Sequence, residues 1–130
     1  MDLTAAQPFI DKLGIEFEES SAERVVATMP VEGNTQPDGI LHGGATCSLV
    51  ETLASFGAAL TVGWPENLVV GQQQTCYFIR PATGGRVRGV ATPHHVGRTT
   101  QIWDVDVSSV DTGKRIATGR VIMAVRPRPA

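Results

Sequence analysis

The stretch at residues 44–62 is the only long helix candidate in the sequence, and its single charged residue is Glu51. At the usual rise per residue, these nineteen residues make a helix about 28 Å long. A helix that is apolar on nearly every side must be surrounded by other elements. Membrane crossing is disfavoured, because a carboxylate near the middle of a bilayer costs about 2.5 kcal/mol or more. The stretch therefore predicts a helix in the middle of a folded domain.

Most of the remaining sequence consists of β-type runs bounded by turn residues. In order, these runs cover residues 15–18, 24–29, 68–79, 86–95, 100–110 and 115–125. The first two predict a hairpin, a loop is expected at residues 32–39, and a short helix is expected at residues 4–13 with Thr4 as its N-cap. Because strands do not alternate with helices, this order favours an α+β fold in which an antiparallel β-sheet wraps around one long central helix.

Length and composition limit the classes of protein to which the chain can belong. Its 130 residues predict one domain, spanning residues 1–130. The formal net charge of -2 disfavours nucleic acid as a partner, because phosphate binding needs an excess of basic side chains. The N-terminus lacks the basic start and apolar run of a signal peptide, and Cys47 and Cys76 lack the spacing of disulfides or metal ligands. We therefore expect a cytoplasmic protein whose two thiols lie in the core.

Glu51 needs an explanation, because a lone carboxylate on an apolar helix is costly unless it is paired, protonated or open to a cleft. Two explanations remain open: a structural ion pair with an arginine, or a role in chemistry. His42, Gly43 and Gly44 come directly before the helix, whose start offers unpaired backbone N–H groups and the positive end of the helix dipole. Such a start suits a carbonyl oxygen that becomes negative during acyl transfer, so the combination favours the catalytic role.

The distance between these two groups predicts an assembly. The Gly43 amide and the Glu51 backbone are separated by eight residues, or about 12 Å of helix, yet both must come within about 3 Å of one carbonyl. The glutamate side chain leans back toward the helix start but closes only part of this gap. We therefore expect Glu51 of one subunit to face the helix start of another, in a dimer with two equivalent sites.

Other catalytic and cofactor motifs are absent from the sequence. It contains no serine in a nucleophile elbow, no cysteine with a histidine at a useful spacing and no metal-ligand cluster. Gly84, Gly85 and Gly89 do not follow the dinucleotide-binding fingerprint, and His94 and His95 are expected to point to opposite faces of a strand. We expect neither a metal nor a cofactor.

The stretch from Asn34 to Ser55, which reads NTQPDGILHGGATCSLVETLAS, resembles the signature of PaaI-type hotdog thioesterases. It is especially similar to the branch that contains one class of 4-hydroxybenzoyl-CoA thioesterases and the proofreading thioesterase of enterobactin synthesis. Residues 69–71, 80–81 and 93–100 extend the similarity, which covers most of the chain from about Ile15 onward. The resemblance implies the hotdog fold and the hydrolysis of an acyl-CoA to a free acid and CoA.

The resemblance also implies roles for individual residues. Glu51 would be the nucleophile or the general base, and the Gly43 amide would polarise the thioester carbonyl. Gln36 and His42 would orient the substrate or the leaving sulfur. Ser55, one turn after Glu51, would hold the attacking water or the carboxylate.

Members of this branch bind coenzyme A at a subunit interface of a dimer, or of a dimer of dimers, without a metal. The positions that match their coenzyme A contacts are Arg80, Arg98, Thr99 and Thr100, with Arg126 and Arg128 as weaker matches. Before Arg80, where the enterobactin-linked enzyme is richer in histidine, stand Tyr77, Phe78 and Ile79. This apolar wall indicates an aromatic or medium-chain acyl group.

Two other functions remain open. A non-catalytic acyl-CoA-binding hotdog protein would bind thioesters without turnover, and the presence of both Glu51 and Ser55 speaks against it. A thioesterase that takes acyl groups from the phosphopantetheine of a carrier protein would use the same residues. Comparing rates on coenzyme A and carrier-protein thioesters separates this enzyme from the acyl-CoA thioesterase.

Overall fold

The long helix predicted from the sequence is present as α2, Gly43–Thr61, in a computed structural model that describes residues 7–130. A second helix, α1, covers Pro8–Leu13. The strands of the described residues are β1 Glu16–Ser20, β2 Val25–Pro30, β3 Asn67–Phe78, β4 Arg86–Val96, β5 Thr100–Ser109 and β6 Arg115–Pro127. Every predicted strand is therefore confirmed, with ends that differ from the prediction by two residues at most.

One antiparallel sheet contains all six strands, in the order β1-β2-β4-β5-β6-β3. The predicted first hairpin is confirmed by the pairing of β1 with β2. Strand β3 follows α2 in the chain but lies at the far edge of the sheet, beyond β6. The chain therefore carries α2 across one face of the sheet, where the helix contacts β2, β3, β4, β5 and β6. The sheet wraps around this helix, as the sequence predicts.

The core lies between α2 and the inner face of the sheet. Leu49 and Leu53 of the helix are completely buried. On β5 the buried residues alternate with less buried ones, and the buried ones are Gln101, Trp103, Val105 and Val107. This alternation is the one expected for a strand with one apolar and one wet face.

Trp103 joins β5 to the last turns of α2. Its ring lies against Gly57, where an added Cβ would clash with the indole. The indole Nε1 donates a hydrogen bond to Gln101 Oε1 at 2.8 Å, and Gln101 Nε2 donates to Thr61 Oγ1 at 2.5 Å. Gln101 is completely buried, so these bonds satisfy polar groups that would otherwise destabilise the core. The network holds the C-terminal end of α2 on the sheet.

Helix α1 is shorter than predicted. Gln7, which falls inside the predicted helix, is the N-cap with a φ of -132°, and Pro8 occupies the first turn. The prediction of one continuous helix through residue 7 is therefore wrong, and Thr4 lies outside the described residues. At its other end, α1 stops at Gly14, which has a φ of 75°.

Neither α1 nor α2, the helices found between residues 7 and 130, has both the length and the apolar character that a membrane span requires.

Candidate active site

Glu51 lies half-buried in the middle of α2, on the side that faces strand β3. Its Oε1 accepts a hydrogen bond from Ser55 Oγ at 2.9 Å. No cation among residues 7–130 forms an ion pair with this carboxylate, so the structural ion pair with an arginine is excluded for the described residues. Glu51 borders a cavity of about 210 Å³ whose other lining residues are Gly71, Gln72, Gln73, Gln74 and Val121.

The side chain of His42 caps the start of α2. Its Nδ1 accepts a hydrogen bond from the Gly44 N–H at 2.8 Å. Because Nδ1 is an acceptor, the neutral ring carries its proton on Nε2 and offers a second donor to solvent. The Gly43 N–H has no hydrogen-bond partner in the part of the chain that the structure describes. The Gly43 N–H is therefore an available donor at the positive end of the helix, whereas His42 does not line the cavity in front of it.

A cavity of about 520 Å³ opens in front of Gly43. Its apolar lining includes Ile40, Leu41, Phe78, Ile79 and Ile116, and its polar side chains belong to Gln36, Thr46 and Arg80. The ring of Phe78 covers Gly43 so closely that an added Cβ would lie 3.1 Å from Cζ. Glycine thus allows an apolar wall and a free backbone N–H to face the same space. The cavity combines an apolar surface with few polar groups, as sites for small molecules do.

Within one chain, the two halves of the predicted site lie apart. Gln36 and Gly43 line the cavity at the helix start, whereas Glu51 lines the other cavity, and the two cavities share no lining residue. Gly43 and Glu51 are eight positions apart, which corresponds to about 12 Å along α2. A single described chain therefore does not bring the carboxylate and the Gly43 amide to the same carbonyl.

The predicted coenzyme A contacts lie at opposite ends of the sheet. Arg80 lies at one end, and Arg98, Thr99 and Thr100 lie at the other. The Arg80 N–H donates to Ile116 O at 3.1 Å, while Thr99 O accepts from the Val125 N–H at 2.9 Å. Ile116 and Val125 are nine residues apart on β6, which corresponds to about 30 Å. The structure therefore does not bring Arg80 close to Thr99 and its neighbours within one chain. The weaker candidates, Arg126 and Arg128, lie near the Thr99 end.

One of the three residues predicted to wall the acyl pocket lies elsewhere. Phe78 and Ile79 line the cavity in front of Gly43, but Tyr77 lines a groove on the outer face of the sheet with Ile122. Neighbouring residues of a strand point to opposite faces, so Tyr77 and Phe78 do not share a wall. The prediction for Tyr77 is wrong for this reason.

Sequence reasoning missed the contacts made by the two cysteines. Both Cys47 and Cys76 are half-buried, and Cys76 packs against the core, so the prediction of two fully buried core thiols is only partly confirmed. Burial raises the pKa of the Cys76 thiol to about 12, and the neighbouring Cys47 thiol adds to this rise. Between them lies Gln74, whose Nε2 donates to the Cys47 carbonyl at 3.3 Å and which also borders the Glu51 cavity. The only sequence signal for Gln74 is its place in a run of three glutamines on a strand.

His94 and His95 line neither cavity, and both are exposed. His94 Nδ1 lies 3.6 Å from Asp104 Oδ2 on the outer face of the sheet. Residues 7–130 contain no cluster of three or more His, Cys, Asp or Glu side chains arranged to hold a metal ion.

The sequence matches one family of known proteins. The thioesterase superfamily matches residues 38–116, which is more than half of the chain. Proofreading thioesterase EntH of Cronobacter turicensis is 37% identical over 126 residues, which cover 96% of this chain and 90% of that protein.

Solved structures agree with this match. A variant of thioesterase PA1618 from Pseudomonas aeruginosa is 40% identical, with a TM-score of 0.88 over 92% of this chain and 86% of that chain. A variant of thioesterase SAV0944 from Staphylococcus aureus is 28% identical, with a TM-score of 0.89 over 93% and 100% of the two chains. The hotdog fold and the thioesterase activity expected from the sequence are thus confirmed, and the chain belongs to the thioesterase superfamily as a hydrolase of thioesters.

Proposed function

We propose that the protein hydrolyses acyl-CoA thioesters that carry an aromatic or medium-chain acyl group, releasing the free acid and coenzyme A. Glu51 acts as nucleophile or general base, and the Gly43 N–H polarises the thioester carbonyl. Gln36 and His42 orient the substrate or its leaving sulfur, and Ser55 holds the attacking water or the carboxylate. The chain works as one domain in the cytoplasm, which suits its free thiols.

The environment of the Glu51 carboxylate carries this proposal. Within residues 7–130 its hydrogen-bond donor is the Ser55 hydroxyl, and no cation compensates its charge. A half-buried carboxylate without a cation contributes little to stability. The same carboxylate, bordering a cavity, is free to take a proton from water or to attack a carbonyl carbon.

Two copies of the chain complete the site in this proposal. Strand β3 is an edge strand whose residues 70–73 are exposed, and an exposed edge offers unpaired backbone groups to a second strand. Glu51 lies directly behind Gly71 of this strand. Pairing along β3 therefore carries Glu51 of one subunit toward Gly43 of the other. It also carries Arg98 of one subunit toward Arg80 of the other, so that both ends of the sheet serve one coenzyme A.

The Staphylococcus aureus thioesterase supports the pairing of Gln36 with Glu51. Two of its solved variants replace a glutamine and a glutamate that stand fifteen residues apart. Gln36 and Glu51 are separated by the same number of residues. The choice of those two positions for substitution fits a site built from one side-chain amide and one carboxylate.

The substitutions Glu51→Gln and Glu51→Ala test the proposal. With benzoyl-CoA and octanoyl-CoA as substrates, we expect kcat to fall by about a hundredfold or more, the scale expected for losing a general base. Circular dichroism and thermal unfolding check that the variants stay folded. Glu66→Gln, an exposed acid just after α2, is the matched control and keeps full activity. Unchanged turnover of both Glu51 variants removes this residue from the mechanism.

Mixing two inactive variants tests the shared site. Glu51→Ala and Gln36→Ala chains, unfolded together and refolded as a mixture, form heterodimers in which one site carries both defects and the other carries neither. Random pairing then restores about a quarter of wild-type activity. Activity that stays at the level of the separate variants contradicts a site built from two subunits.

A second candidate is the hydrolysis of acyl groups carried by the phosphopantetheine of a carrier protein. The similarity to proofreading thioesterase EntH favours this second candidate. The same residues do the chemistry in both cases, so kcat/KM for one acyl group on coenzyme A and on a carrier protein decides between them. A non-catalytic acyl-CoA-binding protein would hydrolyse neither substrate.

A further inference from the structure

A second cavity, of about 350 Å³, adjoins the one in front of Gly43. The linings of the two cavities share Arg80, Pro81, Ala82 and Ile116. From these shared residues the second cavity extends to the turn between β5 and β6, where Ser109, Thr112 and Lys114 line it. The two cavities therefore adjoin along one side of the protein, and an elongated ligand would reach from the first into the second.

The second cavity is rich in hydrogen-bond donors that the protein does not use. Ser109 Oγ accepts from the Thr112 N–H at 3.3 Å and Thr112 Oγ1 accepts from the Lys114 N–H at 3.2 Å, so both hydroxyl hydrogens remain available. Neither Arg80 nor Lys114 has an ion-pair partner within the described residues. Arg80 Nη1 donates to Arg115 O at 3.0 Å, which holds the guanidinium at the border between the two cavities.

One carboxylate, that of Asp111, also lines the second cavity. It lies against Gly85, where an added Cβ would clash with Oδ2. The charged side chains of the lining are thus Arg80, Lys114 and Asp111, two cations and one anion, which leaves one net positive charge. This balance favours an anion, and Asp111 reduces its affinity.

We propose that this second cavity binds the phosphate of a phosphopantetheine arm, the group that coenzyme A and carrier proteins share. The proposal rests on the proposed function. With the thioester at Gly43, the arm runs past the shared lining, and the phosphate accepts hydrogen bonds from Lys114, Arg80 and the Thr112 hydroxyl. Of these residues only Arg80 matches a coenzyme A contact of the related enzymes. The turn between β5 and β6 is therefore assigned a role in substrate binding.

Calorimetry with 4′-phosphopantetheine and with pantetheine tests this assignment without needing turnover. We expect the wild-type protein to bind the phosphorylated compound about tenfold more tightly, because charge-assisted hydrogen bonds are strong. Lys114→Ala removes most of this difference in affinity between 4′-phosphopantetheine and pantetheine. Lys12→Ala, which changes the other lysine of the chain, on α1, is the matched control and preserves the difference. Asp111→Asn keeps the shape of the side chain and enlarges the difference.

Kinetics give the second readout. For one acyl group, Lys114→Ala raises KM for the 4′-phosphopantetheine thioester by about fivefold, leaves kcat unchanged and does not affect the pantetheine thioester. Acyl-CoA and an acyl carrier protein are two further substrates in the same assay. An effect on acyl-CoA alone identifies coenzyme A as the source of the phosphate, and an effect on the carrier protein alone identifies the carrier.

Three results overturn the assignment: no measurable binding of 4′-phosphopantetheine, equal affinity for the two compounds, or a Lys114→Ala variant that retains the full difference in affinity. Failure of the proposed function has a different signature. In that case no thioester is hydrolysed by the wild-type protein, while the difference in affinity between the two compounds still depends on Lys114.

Discussion

The Ser55 hydroxyl donates a hydrogen bond to Glu51 Oε1 across one turn of α2, with 2.9 Å between the two oxygens. Residues four apart lie on the same face of a helix, so the backbone itself holds the two side chains together. The bond restrains one carboxylate oxygen and leaves Oε2 without a donor from the described residues. Ser55 is thereby a positioning residue for Glu51.

Ser55→Ala frees the carboxylate to adopt other rotamers, so we expect kcat to fall by about tenfold while KM changes little. Ser55→Thr keeps a hydroxyl at this place and restores most of the rate. The matched control is Ser48→Ala, because Ser48 is another serine of α2 whose hydroxyl donates to a backbone carbonyl, that of Gly44. Steady-state kinetics with one acyl-CoA measures kcat and KM of all three variants. Full activity of Ser55→Ala shows that the hydrogen bond has no part in catalysis.

Gly71 leaves room for the Glu51 side chain beside β3. A Cβ at this position would lie 3.0 Å from Glu51 Oε1, closer than ordinary contact, and the flexible glutamate is the group that moves. Gly71→Ala should therefore lower kcat by about tenfold and change the melting temperature by only a few degrees. Steady-state kinetics and thermal unfolding measure the two quantities.

A double-mutant cycle gives the control for this substitution. If Gly71→Ala acts by displacing the carboxylate, it costs nothing further in a Glu51→Ala background. An additional loss of activity in the double variant means that the alanine disturbs something else, such as the pairing of two chains along β3. Analytical ultracentrifugation then separates these causes.

Gly57 allows Trp103 to pack against α2, because an added Cβ at this position would clash with the indole ring. Alanine normally stabilises a helix interior by about 1 kcal/mol relative to glycine, but overpacking of a core costs about 3 kcal/mol. We therefore expect Gly57→Ala to lower the free energy of unfolding, as measured by urea denaturation. Gly84→Ala is the control, since its Cβ meets no atom within 4 Å. A more stable Gly57→Ala variant contradicts the close packing.

Local patterns predicted the secondary structure of the described chain well. The alternation on β5 and the apolar stretch around Glu51 are short-range features, and they identify a strand and a buried helix without knowledge of their neighbours. The place of β3 beyond β6 depends on the path that the chain takes around α2. No local pattern contains this information, so the order of the strands in the sheet was not predicted from the sequence.

The candidate site was predictable only in part, for the same reason. Gly43 and Glu51 stand out in the sequence because a lone acid and a helix start have local signatures. The contacts of Gln74 and Lys114 depend on turns and strands that are distant in sequence. Tyr77 was assigned to the wrong face because similarity to a family aligns positions but does not state to which side a strand residue points.

The contribution of Cys76 to the free energy of unfolding depends on pH. The folded protein has a Cys76 pKa of about 12, raised from a reference value of 9.0 mainly by burial. Below pH 9 the thiol is protonated in both states, and the contribution of its burial to stability is complete. As the pH rises from 9 toward 12 the unfolded chain loses a proton that the folded protein keeps, so this contribution declines. We expect the difference in free energy of unfolding between the wild type and Cys76→Ala, measured by urea denaturation with a reducing agent, to stay constant up to about pH 8 and to shrink from about pH 9 to pH 11. Parallel pH curves for the two proteins contradict a raised pKa of the Cys76 thiol in the folded protein.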